Sequence, residues 1–74
     1  MASINYEKRA VDCYAFLCAE YPGSVFRQLV NGVVVWCWQN VDGDLFTFET
    51  AEQAATDLAR DMGVTLSEMD RYAY

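Results

Sequence analysis

Eleven carboxylate side chains, three thiols and no imidazole define the chemistry open to this chain. Without histidine, the commonest general base and metal ligand near neutral pH is missing. Cys13 and Cys18 lie at different angles on any helix that carries both, and Cys37 falls within an apolar strand. That spacing does not build a zinc site. An odd number of cysteines cannot complete a disulfide framework within one chain, which points to a reducing, cytoplasmic setting. Buried thiols then act as small hydrophobes. Asp42-Gly43-Asp44 offers two acids of a calcium loop but not the further ligands or the closing glutamate of an EF-hand, so it reads as a turn. The expectation is a non-enzymatic protein with no cofactor and no metal site.

The acids are unevenly placed. Residues 1–41 hold Glu7, Asp12 and Glu20 against Lys8, Arg9 and Arg27, a balance of zero. The whole net charge of −6 therefore sits in residues 42–74. Such asymmetry repels phosphate and attracts basic partners. Asp57, Asp61, Glu68 and Asp70 fall in the helical part of that half and are expected to form a negative surface. The plainer alternative is a solvated helix face kept acidic for solubility.

These groups need a scaffold, and its centre is Ser24 to Phe48. Asn31-Gly32 between two β-rich runs is a strong hairpin signal, because a type I′ turn needs φ > 0 at both central residues. The turn pairs Val30 with Val33, Gln28 with Val35 and Phe26 with Cys37. A second turn, Asn40 to Gly43, leads into Asp44–Phe48. If that turn is of even length, Phe46 and Phe48 join Phe26, Val30, Val33, Val35 and Cys37 on one face, which is the expected core. The other face carries Val25, Arg27, Leu29, Val34, Trp36, Trp38, Leu45, Thr47 and Glu49. An odd-length turn would flip the third strand, since side chains alternate with a period of two. Trp36 and Trp38 project to the same side, with Arg27 opposite Trp36 and close enough for a cation–π contact. Left uncovered, that patch is a candidate binding surface, because Trp and Arg are enriched in interface hot spots. Homodimer burial and cover by the last helix are the alternatives.

Helices flank the meander. Ser3 and Asn5 are candidate N-caps for a first helix whose apolar face is Tyr6, Ala10, Cys13, Tyr14, Leu17 and Tyr21. Phe16 falls outside that face, beside Arg9 and Asp12, and is a candidate second anchor for a partner. Pro22-Gly23 ends the helix. Thr50-Ala51-Glu52-Gln53 is a capping box. It opens a helix with the stripe Ala51, Ala54, Ala55, Leu58 and Met62, and Gly63 is its C′ residue. Thr65-Leu66-Ser67-Glu68 is a second capping box and starts a short helix with Leu66, Met69 and Tyr72 or Ala73 on its apolar side. The fold class is therefore α+β: one domain over residues 1–74, built as helix, three-stranded antiparallel meander, helix and short C-terminal helix, with the helices mainly on one sheet face. A chain of 74 residues buries only about 60% of its unfolded surface, but 54% of its residues are apolar. No apolar run approaches the roughly 18 residues of a membrane span, and no signal peptide is expected.

Several resemblances follow from these residues. The stretch from Asp57 to Met69, with Ala59, Gly63, Val64 and Met69 at the small, turn and apolar positions, resembles the helix-turn-helix of small DNA-binding regulators. Its second helix offers Leu66, Glu68 and Asp70 with only Arg71 basic, whereas DNA binding depends on neutralising phosphates. The order helix, meander, helix is similar to the double-stranded-RNA-binding domain, whose basic helix end is acidic here. Phe46 to Ala55 resembles the strand-to-helix passage of three-stranded-sheet DNA-binding domains from phage integrases and plant regulators, but Arg27 is the single sheet arginine. Direct nucleic-acid binding is thus disfavoured. In size, acidity, odd cysteine count and architecture the chain resembles phage-encoded anti-CRISPR inhibitors. That resemblance implies a phage protein acting in the host cytoplasm. It would be a stoichiometric inhibitor and nucleic-acid mimic, docking on a partner with a basic surface such as a CRISPR effector complex. Its contacts would be drawn from Arg27, Trp36, Trp38, Phe16, Asp57, Asp61, Glu68 and Asp70. A homodimeric structural phage protein is a further alternative.

Overall fold

The computed structural model describes residues 4–71. Ser3, Tyr72 and Ala73, named above as cap and apolar positions, lie outside that range. A 3₁₀ turn over Tyr6–Arg9 runs into α1 (Ala10–Glu20), followed by β1 (Phe26–Val30), β2 (Val33–Gln39), β3 (Leu45–Phe48), α2 (Ala51–Met62) and α3 (Leu66–Asp70). The strands form one antiparallel sheet in the order β1-β2-β3. The α+β order read from the sequence is thus the architecture observed.

Local signals explain most boundaries. Asn31 and Gly32 both adopt positive φ, 52° and 80°, the backbone a type I′ turn demands. The β1–β2 register pairs Val30 with Val33 and Phe26 with Cys37. Both capping boxes form: Thr50 accepts from the Gln53 N–H at 3.2 Å, and Thr65 accepts from the Glu68 N–H at 3.2 Å. Gly63 closes α2 with φ 72°, a left-handed conformation that an L side chain enters only at a cost. Asn5 caps the first turn, its side chain accepting from the Lys8 N–H at 3.3 Å.

The third strand corrects the expected face. Gln39 pairs with Leu45 and Trp38 with Phe46, so the second turn spans residues 40–44 and is of odd length. Asn40 organises it. Its side-chain oxygen accepts from the backbone N–H groups of Asp42 (3.0 Å) and Asp44 (2.8 Å), and its own N–H donates to the Asp44 carbonyl at 3.0 Å. The extra residue turns β3 over. Phe46 and Phe48 therefore join Trp36 and Trp38 on one face, opposite Phe26, Val35 and Cys37. Gathering four large aromatic rings makes that face the one worth burying, because such rings carry the largest apolar areas of any side chains.

The helices lie on the aromatic face. Trp38 joins one buried cluster with Cys13, Phe16, Leu17, Leu58 and Met69, against which Tyr14, Trp36 and Phe48 also pack. Ala54, Ala55 and Ala59 are fully buried, and their small side chains let α2 approach closely. Met62, placed on the stripe by its spacing, is instead exposed, and the buried line passes through Ala59. The two ends of the chain are joined: the Tyr6 hydroxyl donates to the Val64 carbonyl at 2.8 Å, and Met69 sulfur lies 3.4 Å from the Cys13 thiol. Among the described residues, no helix lies on the opposite sheet face. Val30 and Val33 are exposed there, while Cys37 is fully buried with its thiol 3.8 Å from Gln28 Oε1.

Candidate interaction surface

Trp36 and Trp38 are core residues. Trp38 is 4% exposed, stacks on Phe46 with ring centroids 4.7 Å apart, and donates its indole N–H to Asp57 Oδ2 at 2.9 Å. Trp36 is half-buried and meets the edge of Tyr14 at 6.4 Å. The tryptophans expected on an open face are thus covered, by α1 and α2 rather than by α3 alone, while Leu29 and Val34 at the hairpin end of that face stay exposed. The cation–π contact does form, with the Arg27 guanidinium carbon 5.7 Å from the Trp36 ring centroid. Arg27 itself is exposed.

Phe16 is also a core residue, 5% exposed and 6.1 Å from the Tyr21 ring. The sequence projection placed it wrongly because residues 6–9 wind as a 3₁₀ helix, which turns faster per residue than an α-helix. An α-helical wheel extended through Tyr6 therefore centres the face too far from Phe16, although Cys13 and Leu17 are buried as expected. The buried seam of α1 is Cys13, Phe16 and Leu17, while Tyr21 is exposed.

The four acids named from the sequence divide into two groups. Asp57 and Asp61, one turn apart on α2, line a recess together with Trp38, Phe46, Asn40 and Arg60. Asp57 is half-buried, as a partner of a core indole should be. On α3 both acids are engaged within the chain. Glu68 accepts from the Thr65 N–H at 2.8 Å and from its hydroxyl at 3.1 Å, contacts that hold its carboxyl below the usual range. Asp70 is bound to Arg9, which also binds Asp12 at 2.6 Å. The expected single negative surface across both helices is therefore two regions with different employment.

A larger groove of about 710 Å³ between β3, α2 and the 3₁₀ turn shares Asp57 and Arg60 with this recess. Glu7, Glu49, Glu52 and Asp57 supply its carboxylates, and Arg60 is the only cation lining it among the described residues. Arg60 spans the groove, 3.3 Å from Glu7 and 3.9 Å from Asp57. Glu7, Glu49 and Glu52 were not singled out in the sequence. Glu49 precedes the α2 capping box and Glu52 lies within it, on the same helix as Asp57. Glu7 is distant in sequence, and nothing local marks it.

This constellation can accept hydrogen bonds and ion pairs from guanidinium or ammonium groups. Among the described residues no cluster of three or more Cys, Asp or Glu side chains could hold a metal ion. Burial pushes the Cys13 thiol up, with Asp12 adding to the effect, so it is held as a neutral core group. No described helix is long and apolar enough to cross a membrane. No protein-family model, curated protein or solved structure matches the chain.

Proposed function

We propose that this chain is a non-enzymatic protein-binding inhibitor whose acidic groove between β3 and α2 engages a basic, nucleic-acid-binding partner. The observation that carries the reading is the groove's composition: four carboxylates from three separate elements converge on one concave surface around a single arginine. A phosphate-binding surface on a partner would meet oxygen acceptors where it expects phosphate oxygens. Anti-CRISPR inhibitors are the class this reading fits, with a CRISPR effector complex as the partner, the host cytoplasm as the setting and phage as the source. The helix-turn-helix alternative has less support, because α3 carries Glu68 and Asp70 toward any phosphate it would approach.

The test uses acids that the core does not need. Glu52 and Asp61 have no role in a cap or an indole hydrogen bond, so Glu52→Lys with Asp61→Lys should leave the fold intact. Binding to an effector complex, followed by surface-immobilised kinetics, should weaken at least tenfold. Most of the change should fall in the on-rate, with a steep salt dependence in the parent protein. Affinity that ignores both the reversals and the salt would remove this function.

A further inference from the structure

We infer that the outer edge of β1 is a homodimer interface, pairing antiparallel with β1 of a second copy about a twofold axis through Gln28. This does not rest on the acidic groove, which lies at the opposite edge of the sheet. The backbone supplies the geometry. In a two-residue hairpin the pair that closes the turn exchanges both main-chain hydrogen bonds, and the ladder then alternates. Val30, Gln28 and Phe26 therefore bond inward to Val33, Val35 and Cys37. The N–H and C=O of Arg27 and Leu29 point outward, away from β2, along the edge of a sheet that ends at β1.

Self-pairing about Gln28 uses those groups completely. Arg27 then lies opposite Leu29 of the second copy, and each N–H donates to the other's carbonyl. The axis repeats the exchange. Phe26 lies opposite Val30 of the second copy, and the two Gln28 amides sit side by side. No like charges face each other. Native edges are commonly guarded by charge, proline or a bulge. β1 has no proline, and its one charge, Arg27, is drawn back over Trp36. The other edge strand, β3 (Leu45–Phe48), is flanked by Asp44 and Glu49, one acid at each end.

Charge also selects a second copy as the occupant. All eleven acids lie outside residues 21–41, so the hairpin is where two chains of charge −6 can meet without carboxylates opposed. A basic partner would find no acid there to recognise. The apolar side chains at the hairpin end are the ones left uncovered: Leu29 is 68%, Val33 61% and Val34 55% exposed. Pairing through β1 joins the two sheets edge to edge and keeps both sets of helices on the same side.

Sedimentation equilibrium on the intact chain tests this, with folding of each variant checked by circular dichroism. The parent should sediment at twice the 8.4 kDa chain mass. Leu29→Lys places like charges opposite Arg27 of the second copy, twice over, whereas Leu29→Glu places opposite charges there. Leu29→Glu should therefore dimerise about tenfold more tightly than Leu29→Lys. Relief of overall negative charge would favour the lysine variant, so the order separates the stated register from general self-repulsion. A parent that stays monomeric at its highest soluble concentration overturns the proposal. So do variants that associate equally, or in the reverse order.

Discussion

The Trp38–Asp57 hydrogen bond joins the sheet to α2 and ties one acid of the groove to the core. A hydrogen bond to a charged group contributes about 1.5–3 kcal/mol. Trp38→Phe keeps most of the stacking on Phe46 but strands a half-buried carboxylate. Asp57→Ala strands the indole N–H instead. A double-mutant cycle on chemical denaturation should return a coupling of that size between the two sites, and additive single effects would mean that the bond is idle. Glu68 makes a separate prediction in acid. Its folded-state carboxyl lies below the ordinary value because Thr65 donates to the ionised form. The stability it adds is therefore present above the unfolded value and is lost as pH falls through the lower folded value. Stability measured from neutral pH down to about pH 3 should fall less steeply in Glu68→Gln than in the parent. Parallel curves would show that the cap does not depend on ionisation. At this scale the sequence was informative where contacts are local. The capping carboxylate and the Arg27–Trp36 contact were both legible. The indole bond to Asp57 was not, because it needs the packing of α2 on β2.

The residue count of the second turn decides which face of β3 meets the core: Phe48 packs against it and Phe46, 37% exposed, stacks on Trp38 at its rim. Val41 is fully exposed at the tip of that turn. Deleting Val41 alone makes the turn even and would rotate Phe46 and Phe48 off the aromatic face, so the cooperative melt should be lost. Inserting two residues after Val41 preserves parity and should cost little, since loop entropy grows slowly with length. Equal damage from both changes would contradict the account of the flip. Removing the organiser is a milder version: Asn40→Ala loses its bonds to Asp42 and Asp44 and should cost about 1–2 kcal/mol. Helix order, strand order and the first hairpin's register were all legible from turn and cap chemistry. Two elements were misjudged for definite reasons. Asn40-Val41-Asp42-Gly43 reads as a tetrad, and only the hydrogen bonds of Asn40 to Asp44 show that Asp44 belongs to the turn. On the first helix, the 3₁₀ start turns Tyr6 relative to α1 and shifts the centre of the buried seam, which takes in Phe16 beside Cys13 and Leu17 and leaves Tyr21 exposed.

Across the whole molecule, one sheet face and the small residues of α2 enclose the core, while the carboxylates and the acid-free hairpin occupy different ends of the surface. The core prediction follows from that arrangement. Trp38→Ala should cost about 3–5 kcal/mol, and paired with Trp36→Ala it should abolish the native fold rather than merely a binding site. A folded double mutant would mean that the tryptophans are surface groups after all. The central claim is that the acidic groove occupies a basic partner's nucleic-acid surface, and a displacement titration addresses it directly. A labelled duplex bound to a CRISPR effector complex is followed by fluorescence anisotropy at low salt as the chain is added, with the duplex and chain alone as the reference. The account predicts no change in the reference, stoichiometric release of the duplex from the complex, and release that needs at least tenfold more of the Glu52→Lys, Asp61→Lys protein. A rise in anisotropy with the chain alone, or displacement indifferent to those two reversals, would contradict it.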